Sequence, residues 1–287
     1  MSQAKLTQLS VLDLVPFGNA GSQTGFFALR LTPPAWNLWQ PGQFVMLRPA
    51  AKDSPLLWAR PFSICRMSSR DLVIFFQVRG RATRAMSGLR PGDVLDVWGP
   101  LGNCFADEPE TPTLILAGGI GIAPFVGYVL AHKRPSNLTL EFGHRMPLEC
   151  YPFDSFSERA TATAHLEKDL RDRDAFLSVV EERIKEFAKG LVLACGPTPF
   201  LHAVQSLSRK YQARTQICLE TRMACGVGAC LGCVVKAALP EDAGRPSIEL
   251  PPDLDALPGA PLPGEGERYV QTCTRGPIFW ADSVSFR

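Results

Sequence analysis

The chain has 287 residues, of which 46% are hydrophobic and 20% charged, with a formal net charge of +2. Its length supports a core divided over about two domains, and its interspersed charges give no basis for a nucleic-acid or membrane partner. The opening stretch MSQAKLTQLSVLDLVPF has no long apolar run and no small-residue cleavage site, so the expected location is cytoplasmic.

Residues 1–106 read as an antiparallel β-barrel. GFFALRLT, GQFVMLRP, RPFSICR, DLVIFFQVRG and DVLDVWGP are short apolar or alternating runs separated by turn residues. One helix is expected there, Arg81 to Leu89, with Ala82, Ala85, Met86 and Leu89 on one face and Pro91-Gly92 ending it. RPFSI sets a cation, a rigid residue, a flat ring and a hydroxyl in succession. Arg60 suits a pyrophosphate, Phe62 an aromatic ring system and Ser63 a ring nitrogen. An ordinary strand entry with a core phenylalanine is the alternative.

Residues 107–214 switch to alternating strands and helices, which predicts a parallel sheet. TLILAGG is a buried-type strand, and Gly118, Gly119 and Gly121 fall where it turns into a helix through Phe125 to His132. Such a turn lets backbone N–H groups meet a pyrophosphate at a helix N-terminus. The spacing falls short of G-x-G-x-x-G because Pro124 takes the last glycine's place. The stretch from Thr113 to Ala131 carries no charge, but four glycines and a proline mark it as strand, turn and helix rather than a membrane span. NLTLEFGHR and ERATATAHL read as further strands, and DAFLSVVEERIKEFAKG as an amphipathic helix closed by Gly190. LVLACGPTPFLHAV repeats the strand-turn-helix theme, placing Cys195, Gly196 and Pro197 at a strand's C-terminal end, where open α/β sheets bind ligands. A buried thiol with no ligand role is the alternative for Cys195.

Residues 215–287 form a small C-terminal domain around ACGVGACLGC. Cys225, Cys230 and Cys233 stand as C-x4-C-x2-C with Cys273 beyond them, the ligand spacing of plant-type [2Fe-2S] ferredoxins. Gly226, Gly228 and Gly232 let the backbone wrap and aim N–H groups at sulfur. Zinc also takes four thiolates, usually as paired clips, and a zinc-bound interaction module is the alternative. The remaining five of the nine cysteines are expected to be free thiols, and the four histidines share no ligand spacing. The Pro-rich acidic stretch between Cys233 and Cys273 reads as a surface excursion.

A barrel, a glycine-turn domain and a cluster loop in this order form an electron path. Nicotinamide exchanges electrons as hydride, a cluster one at a time, and a flavin between them does both. With E-x-R-M-A-C-G-x-G-A-C-x-G-C at Glu220 to Cys233 and C-x-x-G-P at Cys273 to Pro277, the chain resembles, along nearly its whole length, the electron-transfer subunits of NAD-dependent (class 1B) dihydroorotate dehydrogenases. These are a branch of the ferredoxin-NADP reductase superfamily.

The resemblance implies FAD on the R-P-x-S residues Arg60, Pro61, Phe62 and Ser63, and on a second element at Phe76, Gln77, Ala82 and Thr83. It implies NAD over Gly118, Gly119 and Gly121, with Cys195, Gly196 and Pro197 near the nicotinamide and Cys195 as the catalytic contact. It further implies an FMN-containing catalytic subunit that oxidises dihydroorotate to orotate, joined two and two with this chain. Electrons would pass from that subunit through the cluster and FAD to NAD, with the proton chemistry left to the partner. Three departures stand out: Ala82 replaces a usual glycine, TATAHLEKDLRDRDAF lacks the usual glycines, and the Pro-rich excursion is long. The flavin and iron–sulfur subunit of another reductase complex, linked to ferredoxin, sulfide or hydrogen, is the competing assignment.

Overall fold

The computed structural model describes residues 5–18, 25–36, 38–50, 57–238 and 267–286. The Pro-rich excursion lies outside the described residues.

The first seven strands make one curled antiparallel sheet. They are β1 (Lys5–Pro16), β2 (Phe26–Leu31), β3 (Phe44–Pro49), β4 (Arg60–Ser63), β5 (Arg66–Met67), β6 (Leu72–Gln77) and β7 (Val94–Leu101), in the order β4-β3-β7-β1-β2-β6-β5. β1 serves two neighbours. Its first half pairs with β7, its second with β2, and a register shift between Val11 and Asp13 lies within the second. Such irregularities bend a strand and increase its twist. The curl brings edge strand β4 back to β6, where Phe62 meets Phe76 edge-on with ring centroids 6.1 Å apart. Helix α1 (Arg81–Met86) is shorter than expected, because Ser87 starts a turn instead of another helical residue.

Next come β8 (Thr113–Gly118), a 3-10 turn at Gly119–Ile122, α2 (Ala123–Ala131), β9 (Leu138–His144), α3 (Asp154–Ser157) and β10 (Thr161–Leu166). They are followed by α4 (Leu170–Glu186), β11 (Leu191–Cys195), α5 (Thr198–Tyr211) and β12 (Thr215–Cys218). These strands pair in parallel in the order β10-β9-β8-β11-β12. α4 begins four residues before the expected helix. The Asp169 carboxylate accepts from the backbone N–H groups of Arg171 and Asp172, an N-cap that starts the helix at Leu170.

The last elements are β13 (Val234–Ala238), β14 (Glu267–Gln271), α6 (Thr272–Arg275), β15 (Ile278–Trp280) and β16 (Val284–Ser285). β13 sits between β14 and β16 in a small antiparallel sheet, whereas β15 joins the parallel sheet as an antiparallel sixth strand beside β12. Two strands of the segment 215–287 therefore extend the sheet laid down by the preceding segment. The architecture is a curled antiparallel half-barrel, a parallel α/β sheet and a C-terminal cysteine-bearing segment.

One apolar cluster joins half-barrel to α/β sheet: Phe26 and Phe75 of the former pack with Phe125, Phe142 and Tyr151 of the latter. Phe26 and Phe125 are almost fully buried. At about 1.5–3 kcal/mol for each such side chain, this shared core stabilises the contact between half-barrel and sheet.

Candidate functional site

The expected flavin residues lie on edge strand β4, on β6, which the curl brings against it, and on helix α1. Arg60, at the start of β4, is exposed, and its guanidinium donates to the carbonyls of Trp58 and Ala59 at 2.9 and 3.0 Å. Pro61, Phe62 and Ser63 are half-buried. Phe76 is buried behind Phe62, and the half-buried Gln77 accepts from Arg79 Nε at 2.7 Å. Thr83 turns its hydroxyl to its own helix start, accepting from the N–H groups of Arg79 and Gly80 at 2.8 and 3.1 Å. Ala82 is buried with Met86 on the inner side of α1, and a Cβ added at Gly80 would meet nothing within 4 Å. The glycine-to-alanine departure thus places its methyl inward and leaves the turn before α1 open. An exposed Arg60, a half-buried aromatic and an open turn between Arg79 and Arg81 fit a dinucleotide with an anionic middle and a flat ring.

The two expected nucleotide segments meet at the C-terminal ends of β8 and β11. These strands are neighbours at the point where the chain order reverses, the place where open α/β sheets receive a ligand. Gly119 has φ +54° and open space where a Cβ would stand. Gly121 is pressed against the other segment: a Cβ there would lie 2.3 Å from the Cys195 carbonyl oxygen and 2.8 Å from the Gly196 nitrogen. Gly118 would likewise meet Pro197 at 3.0 Å. Cys195 is half-buried, and its register partner is Cys218 on β12. A hydrogen bond with the Cys218 thiol, reinforced by burial and by the Glu220 charge, pushes the Cys195 thiol well up. It is protonated at neutral pH, so it offers a polarisable contact rather than a nucleophile.

The cysteine loop rests on the half-barrel. Trp98 of β7 donates its indole N–H to the Cys225 carbonyl at 3.0 Å. Gly226, at φ +72°, lies so close to β3 that a Cβ would fall 2.4 Å from Met46 Cγ. Met46, Ala59, Leu101, Met223, Cys233 and Cys273 form one buried cluster beneath the loop, with Trp98 against it. Asn103, just past β7, ties down the other cysteine segment. Its Nδ2 donates to Ile278 O at 2.7 Å, its Oδ1 accepts from Ile278 N at 3.0 Å, and its N–H donates to Gly276 O at 2.7 Å.

The sulfurs do not surround one point: among the described residues no three His, Cys, Asp or Glu side chains gather as a single ion would need. They stand as two pairs. Cys225 and Cys230 are hydrogen-bonded neighbours, as are Cys233 and Cys273. Burial pushes the Cys225 thiol up, but the N–H groups of Val227 and Cys230, at 3.5 and 3.4 Å from Sγ, together with the Cys230 side chain and the Ala229 N–H, bring it down to about 7. The hydrogen bond with Cys273 holds Cys233 down to about 5 and drives Cys273 up. Two cysteine pairs, with backbone donors already aimed at the sulfurs of Cys225 and Cys233, match what a two-iron cluster takes from a protein. The Cys233–Cys273 pair is buried, whereas Cys230 is exposed at the outer edge.

Known structures share this fold. The whole chain superposes on a structure described as an NADH-dependent reduced ferredoxin-NADP oxidoreductase, with TM-score 0.75, 20% identity and coverage of 99% of this chain and 91% of that one. A ferredoxin-NADP+ reductase from Plasmodium falciparum matches with TM-score 0.58 and 15% identity, over 72% of this chain and 91% of that one. The fold is that of the ferredoxin-NADP reductases, with a cysteine-bearing loop seated on its half-barrel.

Residues 220–245 match the family model of the iron-sulfur cluster binding domain of dihydroorotate dehydrogenase B. The electron transfer subunit of dihydroorotate dehydrogenase B (NAD(+)) from Caldanaerobacter subterraneus subsp. tengcongensis is 34% identical over 86% of this chain and 87% of its own length. Its counterpart from Geobacillus kaustophilus is 32% identical over 85% and 86%. The chain belongs to the family of dihydroorotate dehydrogenase B electron transfer subunits.

Sequence reasoning missed Trp98 and Asn103. No motif marks them, because each acts by reaching a segment distant in sequence.

Proposed function

We infer that this chain carries electrons between a dihydroorotate-oxidising catalytic subunit and NAD in pyrimidine biosynthesis, as the NAD-linked iron–sulfur flavoprotein half of a cytoplasmic enzyme. The supporting observation is that the two cysteine pairs are seated, through Trp98 and Gly226, on the same half-barrel whose edge carries Arg60 to Ser63. Family membership then supplies the chemistry at either end.

A flavin exchanges hydride with nicotinamide and passes single electrons to a [2Fe-2S] cluster. Arg60 holds the FAD pyrophosphate, Phe62 and Ser63 the flavin ring, and Phe76, Gln77, Ala82 and Thr83 shape the floor and turn beneath it. Gly118, Gly119 and Gly121 admit the NAD pyrophosphate, while Cys195, Gly196 and Pro197 bound the nicotinamide. Cys225, Cys230, Cys233 and Cys273 hold the cluster.

The catalytic subunit, carrying FMN and joined two and two with this chain, docks beside Cys225. A hollow there is walled by Leu6, Leu57, Trp58, Trp98 and Val227, with Arg48 at its rim. Leu6, Leu57, Trp58 and Val227 are all exposed, and aromatic and arginine side chains are the usual anchors of an interface. Among the described residues no helix is long and apolar enough to cross a membrane.

The test is reconstitution. This chain, co-purified with a dihydroorotate dehydrogenase catalytic subunit, is expected to reduce NAD+ with dihydroorotate, whereas the catalytic subunit alone does not. A complex that forms and carries FAD and iron but leaves NAD+ unreduced would contradict the reading.

A further inference from the structure

Thr221 and Thr272 are separated by 51 residues, yet their hydroxyl groups are hydrogen-bonded to one another. Thr272 is fully buried and opens α6, the turn that carries Cys273. Its Oγ1 lies 3.0 Å from the Cys233 carbonyl oxygen, and its backbone nitrogen donates to that same oxygen at 2.9 Å. The directions of these bonds follow by elimination. A carbonyl oxygen only accepts, so Thr272 spends its single proton on Cys233. Its oxygen must then accept from Thr221. The result is a relay, Thr221 to Thr272 to Cys233, with every proton directed toward the buried cysteine pair.

The relay joins three chain segments: the approach to the cysteine loop, the third cysteine and the start of the fourth cysteine's turn. The side chains of Cys233 and Cys273 are only a few per cent exposed, so water screens them weakly. A reduced cluster carries one more negative charge than an oxidised one, and hydrogen bonds around its ligands are among the principal settings of its potential. Two donors on the Cys233 carbonyl withdraw electron density from the peptide group of a proposed ligand, which makes an added negative charge beside it less costly.

We propose that Thr272, oriented by Thr221, is a positioning residue that raises the reduction potential of the cluster by holding Cys233 through its carbonyl. This rests on the functional reading above. Only the part of this hydrogen bond that strengthens as the cluster gains charge moves the midpoint, so its loss is expected to lower the ratio of reduced to oxidised cluster at a fixed poise by at most about fivefold. For a one-electron centre at 59 mV per tenfold, that is at most about 40 mV more negative.

The experiment is a redox titration of the intact holoprotein followed by the electron paramagnetic resonance of the reduced cluster, for wild type, Thr272→Val, Thr272→Ser and Thr221→Val. Valine keeps the shape of threonine and removes the hydroxyl. The expected result is a more negative midpoint in Thr272→Val, a near-native one in Thr272→Ser and a smaller negative shift in Thr221→Val, with flavin reduction by NADH unchanged. Should Thr272→Val fail to hold a cluster, Thr221→Val decides, since it leaves the Thr272 bond in place. Midpoints in the valine variants that match wild type would overturn the proposal. Wild-type protein without a [2Fe-2S] signal would overturn the functional reading first, before any variant is compared.

Discussion

Replacing the exposed Cys230 by serine is expected to cut dihydroorotate-dependent NAD+ reduction in the assembled complex by more than about a hundredfold, while NADH still reduces the flavin. Changes in partners lying beyond the ligands already cost about 10- to 100-fold at metal sites, and Cys230 is itself proposed as a ligand. The separation of the two effects follows from position. Cys230 sits at the outer edge of a loop that touches β3 and β7 from outside, whereas the Gly121–Cys195 contact lies at the ends of β8 and β11. Absorbance of the flavin during anaerobic NADH addition, beside turnover with the catalytic subunit, reads both. Joint loss of flavin reduction and turnover in a protein that retains FAD would contradict the division of labour.

The second large effect is expected at Gly121→Ala. The added Cβ would meet backbone atoms of Cys195 and Gly196, not a flexible side-chain end, so the turn and the Cys195 segment must separate. Overpacking of this kind costs about 1–3 kcal/mol. If that cost falls on nicotinamide binding, the NADH concentration needed for half-maximal flavin reduction rises about 5- to 150-fold. Dithionite is expected to bleach flavin and cluster as in wild type, because the half-barrel and the cysteine loop are untouched. An unchanged NADH dependence would remove the turn from the nicotinamide site.

Local pattern carried much of this molecule. Alternating apolar runs marked β2, β3, β6 and β7, and the apolar run ending in Gly118-Gly119 marked β8 and its turn, because such features depend on period and on backbone freedom. The cysteine spacing was legible for the same reason: three ligands from one loop need fixed intervals. What could not be read was anything made across distance. Glu141 in the middle of β9 looks out of place in a buried strand until Arg183 and His165 are found at 2.7 Å from its carboxylate. Ile278 to Trp280 gave no strand signal in three residues, since its partner is β12 rather than a neighbour in the chain. Asn103 and Trp98 carried no motif, yet they fix the cysteine segments to the half-barrel through carbonyls more than a hundred residues away. The start of α4 was hidden because Asp169 looked like one charge among many in EKDLRDRD, and only its bonds to two backbone N–H groups distinguish it.

The most direct test of the account is the visible spectrum of anaerobically purified protein, recorded before and after NADH is added. The account predicts flavin bands over a broad iron–sulfur absorption, both bleached by NADH, with iron and acid-labile sulfide at two of each per chain, the content of a [2Fe-2S] cluster. A colourless protein holding zinc, or a bound flavin that NADH leaves oxidised, would contradict it.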